Sequence, residues 1–194
     1  MPASVELIVI PNIRNRLPFD PFQPKLPNNQ LLEIQNYLLT HTNPWVQLTV
    51  KSPFYVSVKA RFAVRFKYGY NTGYYQEQLQ EDLKRYLSPW AYEEDATITM
   101  GNQIHANLLV NFLEERNYID YVSRVKLFQS DDAITYTDVT ALHNQTEYIA
   151  FSTRTDAILV SADQHEIDLI TEENAQAESF VGVGYMRVGL DNKI

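Results

Sequence analysis

Phe54-Tyr-Val-Ser-Val-Lys-Ala-Arg-Phe-Ala-Val-Arg-Phe-Lys-Tyr68 is the stretch that decides the fold. Its even-numbered positions, Phe54, Val56, Val58, Ala60, Phe62, Val64, Phe66 and Tyr68, are all apolar. The odd-numbered ones include Ser57, Lys59, Arg61, Arg65 and Lys67. Successive side chains of a strand point to opposite faces, so a period of two over this length predicts one long strand. One face lies in a core and the other meets water or a polar partner. Downstream, a turn over 69–73 leads into a helix over 74–87, with Tyr75, Leu79, Leu83, Tyr86 and Leu87 on one face. Pro89 ends it, having no N–H to continue the ladder. Residues 96–100 read as a short strand. Ile104, Leu108 and Phe112 mark a further helix ending near Asn117, and 119–128 form another strand.

Upstream, residues 5–10 read as a short buried strand stopped by Pro11. Residues 11–28 hold Pro11, Pro18, Pro21, Pro24 and Pro27, a long loop of the kind that is functional or pinned to a partner. Asn28 or Asn29 is expected to N-cap the next helix, whose Leu31, Ile34 and Leu38 share a face. His41, Asn43 and Pro44 stop that helix, and 45–50 alternate as a strand. The expected fold class is α+β: two small adjacent α+β units with helices packed on one face of short sheets, followed by a β-rich C-terminal part. The expected boundaries are 1–52, 53–128 and 129–194.

Net charge supports that division. The 194 residues carry 16 basic and 24 acidic side chains, a formal charge of -8. Residues 1–52 are at +1, 53–128 at 0, and 129–194 at -9, so the last third supplies all of the negative charge. That third is rich in Thr, Tyr and acids and lacks helical periodicity. Short strands are expected at 134–139, 147–151, 157–160 and 165–170, the second and third pairing as a hairpin about Thr155 and Asp156. Residues 181–188 alternate apolar residues with Gly and read as a last strand or as an arm reaching a neighbour.

Several chemistries are excluded or unsupported. There is no Cys, which removes disulfide scaffolds, zinc ribbons and thiol nucleophiles. No stretch approaches the roughly 18 apolar residues of a membrane span, and residues 1–10 lack the basic start and cleavage site of a targeting signal. His41, His105, His143 and His165 form no i, i+4 metal pair. Gly182 and Gly184 have no helix after them to hold a phosphate. No metal, cofactor or catalytic set is therefore expected, and a small-molecule ligand is not. Lys59, Arg61, Arg65 and Lys67 suggest a nucleic-acid sheet, but the aromatic residues sit on the opposite face and 53–128 is neutral. Nucleic acid is not an expected partner.

The run Leu26-Pro-Asn-Asn-Gln-Leu-Leu-Glu-Ile-Gln-Asn-Tyr-Leu38, then Val46-Gln-Leu-Thr-Val50 and Ser52-Pro-Phe-Tyr-Val-Ser-Val58, carries a resemblance. It continues through the long strand, Arg85-Tyr-Leu-Ser-Pro89 and Tyr118-Ile-Asp-Tyr-Val-Ser-Arg-Val-Lys-Leu127. The order and spacing resemble the C-terminal part of the baseplate J-like family, wedge proteins of contractile phage tails and tail-like injection machines. The match spans about residues 5–128 and extends loosely over 157–167. Trp90 to Asp95 stand where many relatives are Gly-rich, and the acidic third is more elaborate than in simple phage versions. Relatives are commonly longer, which makes the chain a candidate C-terminal piece.

The resemblance implies a non-enzymatic structural subunit, assembled in the bacterial cytoplasm into a phage-tail or injection-particle baseplate. Its partners would be other wedge and tail proteins. Candidate interface residues are Trp45, Lys59, Arg61, Arg65, Lys67, Trp90, Glu172 and Glu173. Trp supplies large area with a polar tip, although the expectation for Trp45 favours the core. The acidic part is a candidate docking surface for a basic strip such as Lys59 to Lys67 on a neighbour. The 13 Tyr and the β-rich third leave a carbohydrate- or surface-binding module as the alternative.

Overall fold

The computed structural model describes residues 3–13, 20–93 and 95–171. In chain order the elements are β1 (Ala3–Ile8), α1 (Asn28–Thr40), β2 (Val46–Lys51), β3 (Phe54–Phe66) and α2 (Thr72–Leu87). Then come β4 (Ile104–His105), α3 (Ala106–Glu114), β5 (Ile119–Ser130), β6 (Thr137–Asp138) and α4 (Val139–His143). The last three are β7 (Ile149–Ala150), β8 (Ala157–Ser161) and β9 (Glu166–Leu169). The class is α+β.

Strand β3 is the spine. On one edge it pairs antiparallel with β5, and β6 lies beyond β5. On the other edge β8 and β9 lie end to end, both parallel to β3. The even face behaves as its apolar period requires: Val56, Val58, Phe62 and Val64 are buried against Leu79 and Leu83 of α2 and Leu109 and Leu113 of α3. A second cluster covers the odd face where the strand begins. There Tyr55, with Ile158 and Val160 of β8, packs on Trp90, and Ile10, Ile13, Ala96 and Ile98 close the cluster. Strand β8 is buried at every residue. A run apolar on both faces belongs inside a parallel pairing, not in a solvent-facing hairpin.

Helix α2 starts where the sequence supplies a cap. The Asn71 side chain accepts a hydrogen bond from the Tyr74 N–H at 3.0 Å, satisfying one of the first-turn donors that have no partner within the helix. Asn71→Ala is expected to cost about 1 kcal/mol, read as a shift in the urea midpoint with unchanged slope.

Five local expectations are corrected. Helix α1 begins at Asn28 itself, with no side-chain cap; the Pro27 carbonyl accepts the N–H groups of Gln30 and Leu31 instead. Residues 96–100 are irregular and serve as cover for the second cluster. The helix expected from Ile104 begins at Ala106, because Ile104 and His105 pair with β7. Of 134–139 only Thr137 and Asp138 form a strand, and Val139 opens α4 after the Asp138 carboxylate takes the Thr140 N–H. A five-residue helix is too short to show periodicity. The hairpin is absent, since β7 joins β4 while β8 joins β3. The strand or arm expected at 181–188 lies outside the described residues. The step in charge near residue 128 is crossed by the sheet, which takes strands from both sides of it.

Strands β1 and β2 form a separate two-stranded parallel sheet, connected through α1. It is fastened to the larger sheet by polar contacts. Lys51 Nζ bridges Glu6 at 2.8 Å and Asp156 at 3.0 Å, and Arg154 holds the same Asp156 carboxylate at 2.8 Å. Arg154 first, then Lys51, pull the Asp156 carboxyl down to about 2. The Tyr55 hydroxyl donates to the Pro24 carbonyl at 2.6 Å, pinning the Pro-rich loop to the spine. Burial and the negative charge of Asp20 push that phenol well above its ordinary range.

Candidate assembly interface

Helix α1 is the least covered of the described helices, because none of its residues is buried, whereas α2, α3 and α4 each bury at least one. Its Leu31, Ile34 and Leu38 are half-buried, while Leu32, Tyr37 and Leu39 are exposed. Leu32 and Leu39 lie about 100° round the helix from Leu31 and Leu38, given 3.6 residues per turn. The apolar arc is therefore wider than the single stripe a surface helix needs. Val5 and Leu7 of β1 are also exposed. In the order β1-β2, the outer edge of β1 is open among the described residues. Parallel sheets are normally covered on both faces, and a two-stranded sheet is marginal alone. By contrast, β2 has a partner beyond β1: Gln35 Oε1 of α1 accepts the Val50 N–H at 3.1 Å.

Trp45 completes this surface and overturns the expectation of a core position, since it is 79% exposed. The reason is local. Asn43 Oδ1 accepts the Trp45 N–H at 3.1 Å, and the Asn43 carbonyl accepts the Val46 N–H at 3.0 Å. This tight turn after α1 points residue 45 away from the strand face that Val46, Leu48 and Val50 share. Trp90 shows the reverse. It is 8% exposed and packed on Tyr55, Ile158 and Val160, so it is core and no surface anchor. Ser88 Oγ accepts the Ser161 N–H at 2.8 Å and folds the end of α2 back onto β8, carrying Trp90 inward. Its indole N–H has no hydrogen-bond partner among the described residues.

The basic residues of β3 each have an internal contact. Lys59 Nζ stands 3.7 Å from Glu166 and 4.0 Å from the Tyr136 ring centroid. Arg61 lies 3.4 Å from Glu166 and 4.0 Å from Asp168, and Arg65 lies 3.3 Å from Asp120. Lys67 donates to the Asn117 carbonyl at 2.9 Å. Register explains the first two: β9 runs beside β3 with Glu166 opposite Arg61 and Asp168 opposite Ala63. The meeting of acidic third and basic strip that was expected between neighbours thus occurs within one chain. Glu172 and Glu173 lie outside the described residues.

No group of three or more His, Asp or Glu among the described residues could hold a metal ion. The four His are dispersed. His41 lies against the Tyr37 ring, and His143 stacks on Phe151 with Nε2 3.0 Å from Gln129 Oε1. His165 is the buried one. Its Nδ1 accepts the Ala60 N–H at 3.2 Å, and Nε2 stands 3.1 Å from Ser161 Oγ. Its backbone N–H donates to Gln80 Oε1, and its carbonyl accepts from Gln80 Nε2. The ring thus ties β3 to β8, and the backbone of the same residue ties both to α2.

Sequence reasoning by single faces missed Leu32, Tyr37 and Leu39. The Leu31-Leu32 and Leu38-Leu39 doublets were the available signal, since adjacent apolar residues on a helix cannot share one narrow stripe. No helix among the described residues is long and apolar enough to cross a membrane.

A family model described as "Baseplate protein PVC11-like" matches residues 1–149. No curated protein matches the chain. Eight chains of solved structures do. One is from the "Cryo-EM structure of the anti-feeding prophage (AFP) baseplate, 6-fold symmetrised", at 20% identity and a TM-score of 0.53. The alignment covers 80% of this chain and 32% of that one, so the chain spans about a third of the length of the solved chain. At this identity the likeness is one of fold.

Proposed function

Because the chain belongs to the PVC11-like baseplate proteins, and is thereby a structural baseplate subunit of a contractile injection system, we propose that it works by contact alone. In this reading the β1–α1–β2 unit is its docking surface and the β3-centred body is the rigid mount behind it. The observation that carries the proposal is the uncovered helix α1 with Trp45 beside it. Exposed aromatic and aliphatic side chains gathered in one small unit of the fold cost solubility in a free protein and mark an element that a partner covers.

Finer kinship to the baseplate J-like wedge proteins belongs to the same proposal, supported by the segment order from Leu26 to Leu127. So do assembly in the bacterial cytoplasm, partners among the neighbouring wedge and tail proteins, and the absence of catalysis. The division at residue 52 is proposed as the line between docking unit and body, and that near 128 as a change of composition within the body. No observation favours a carbohydrate-binding role. Mass spectrometry and electron microscopy of native particles test the reading. The chain is expected at a fixed ratio to the other baseplate proteins, with density over α1. Its absence from purified particles, or an α1 facing bulk solvent in them, would refute it.

A further inference from the structure

We propose that the open edge of β1 pairs antiparallel with β1 of a second copy of this chain, joining two β1–α1–β2 units into one four-stranded sheet. This rests on the reading of that unit as the docking surface and names what meets its edge.

The backbone shows which groups are on offer. The Val9 N–H donates to the Lys51 carbonyl at 3.0 Å, so the odd-numbered residues of this stretch turn their backbone groups toward β2. By the alternation of a strand, the N–H and C=O groups of Ser4, Glu6 and Ile8 point the other way. They have no strand beside them among the described residues. The far side of β2 is different, since the N–H groups of Val46 and Val50 are taken by the Asn43 carbonyl and by Gln35. Proteins blunt a free edge with Lys, Pro or a bulge. Strand β1 uses none of these: it holds no Lys or Pro, and it stays in step with β2 from Ala3 to Ile8. Its one charge, Glu6, is already bound by Lys51 at 2.8 Å.

Register and charge select a second copy as the occupant. A two-fold axis normal to the sheet keeps each face on its own side, so odd residues meet odd and even meet even. Centred on Glu6, the pairing sets two carboxylates directly opposite each other, which is destabilising. Centred on Leu7, it sets Glu6 against the apolar Ile8. Centred on Val5, it sets Val5 against Val5 of the second copy, an apolar pair of exposed side chains. On the other face it sets Ser4 against Glu6, where a hydroxyl meets a carboxylate. Ser4 and Glu6 are also the residues whose backbone groups face outward. Each Ser4–Glu6 pair therefore exchanges both N–H···O bonds, and Val5 forms the close, non-hydrogen-bonded pair between them. One register thus satisfies backbone, apolar contact and charge together. It also turns a two-stranded sheet, marginal alone, into one of four strands.

The test uses the full chain. Sedimentation is expected to show a monomer–dimer equilibrium between about 1 and 100 μM. Val5→Cys, in a chain with no other Cys, is expected to give a disulfide-linked dimer under mild oxidation. Its Cα atoms would stand about 4.5 Å apart, within the range a disulfide spans. Leu7→Cys lies on the same face but roughly 13 Å from its counterpart along the strands, and is expected to remain a monomer on a non-reducing gel. Ser4→Pro removes an outward N–H and no bond to β2. It is expected to weaken dimerisation about tenfold or more with an unchanged melting temperature. A monomer throughout the concentration range, equal cross-linking of the two Cys variants, cross-linking of Leu7→Cys alone, or full dimerisation of Ser4→Pro would overturn the proposal. Native particles separate it from the assembly reading. A wild type that enters particles with density over α1 yet sediments as a monomer ends this proposal and keeps that reading. Absence of the wild type from particles ends that reading whatever sedimentation shows.

Discussion

Acidification from pH 6.5 to about 3 is expected to cost the fold up to about 5 kcal/mol through His165 alone. Burial is the main reason its imidazolium is disfavoured, and the nearby positive charges of Lys84 and Lys59 add to it; together they bring the pKa down to about 3. Geometry states the same conclusion. Nδ1 accepts the Ala60 N–H, so the neutral ring carries its proton on Nε2 and donates to Ser161 Oγ, which in turn donates to the Ala162 carbonyl. A second proton on Nδ1 would leave the Ala60 N–H facing a donor. Above pH 6.5 the ring is neutral in both folded and unfolded chains and contributes no pH dependence. Below 6.5 the unfolded chain binds a proton that the folded one refuses, and stability falls until the folded ring itself titrates near 3.

The Asp156 carboxylate, held at about 2, gives up its contribution only below the ordinary carboxylate range. The interval from 6.5 to about 4 therefore reports His165. Urea midpoints measured across that interval should fall steadily for the wild type. In His165→Asn the amide oxygen can still take the Ala60 N–H. That variant should be less stable at pH 7, by about 1–3 kcal/mol, but nearly flat across the same interval. A wild-type midpoint that does not move between pH 6.5 and 4 would refute the assignment.

The difference between what could and could not be read from sequence runs along identifiable residues. Strand β3 was legible because every even-numbered position across its thirteen residues is apolar while most of the odd ones are polar, and α2 because Leu79, Leu83 and Leu87 recur on one side of a helix with a Pro after it. Strand pairing was not legible. Whether Ala157–Ser161 turns back on Ile149–Ala150 or crosses to β3 depends on which partner covers both of its faces, a property of tertiary packing that local pattern does not encode. The candidate site fared in the same way. Arg61 was visible as a charge on an outward face, but its pairing with Glu166 exists only once β9 is in register. Sequence makes both Trp residues candidate anchors, with the core favoured for Trp45, because a large apolar side chain is equally suited to a core and to an interface. The Asn43 turn and the Ser88 hydrogen bond decide between them, and both are contacts at the ends of elements, where pattern reading is weakest.

Trp45→Ala is expected to leave the isolated chain's stability within about 0.5 kcal/mol of wild type and to weaken its association with the adjoining baseplate protein by at least about 30-fold. The first half follows from exposure: at 79% the side chain has little protein around it to lose. The second follows from area. A Trp ring that becomes covered removes about 150–250 Å² from water, worth about 4–6 kcal/mol gross at 25 cal/mol per Å². Association entropy and ordering consume part of that, which leaves the 2 kcal/mol or more typical of a central aromatic anchor, a factor of about 30.

Tyr37 belongs to the same β1–α1–β2 unit and is 66% exposed. Its ring is already held against His41 at 4.6 Å, so less ordering remains to be lost on binding. Tyr37→Ala should therefore weaken association too, and the double variant should lose less than the sum if both rings enter one desolvated patch. Binding measured on a sensor carrying the adjoining protein, with melting curves of the free variants alongside, separates the cases. Equal affinity for wild type and Trp45→Ala would show that α1 and its turn face solvent in the particle. A loss of affinity accompanied by an equal loss of stability would show that Trp45 supports the β1–α1–β2 unit itself and not a partner. The combination expected here, an intact fold with failed association, is the one that neither a solvent-facing ring nor a purely structural ring can produce.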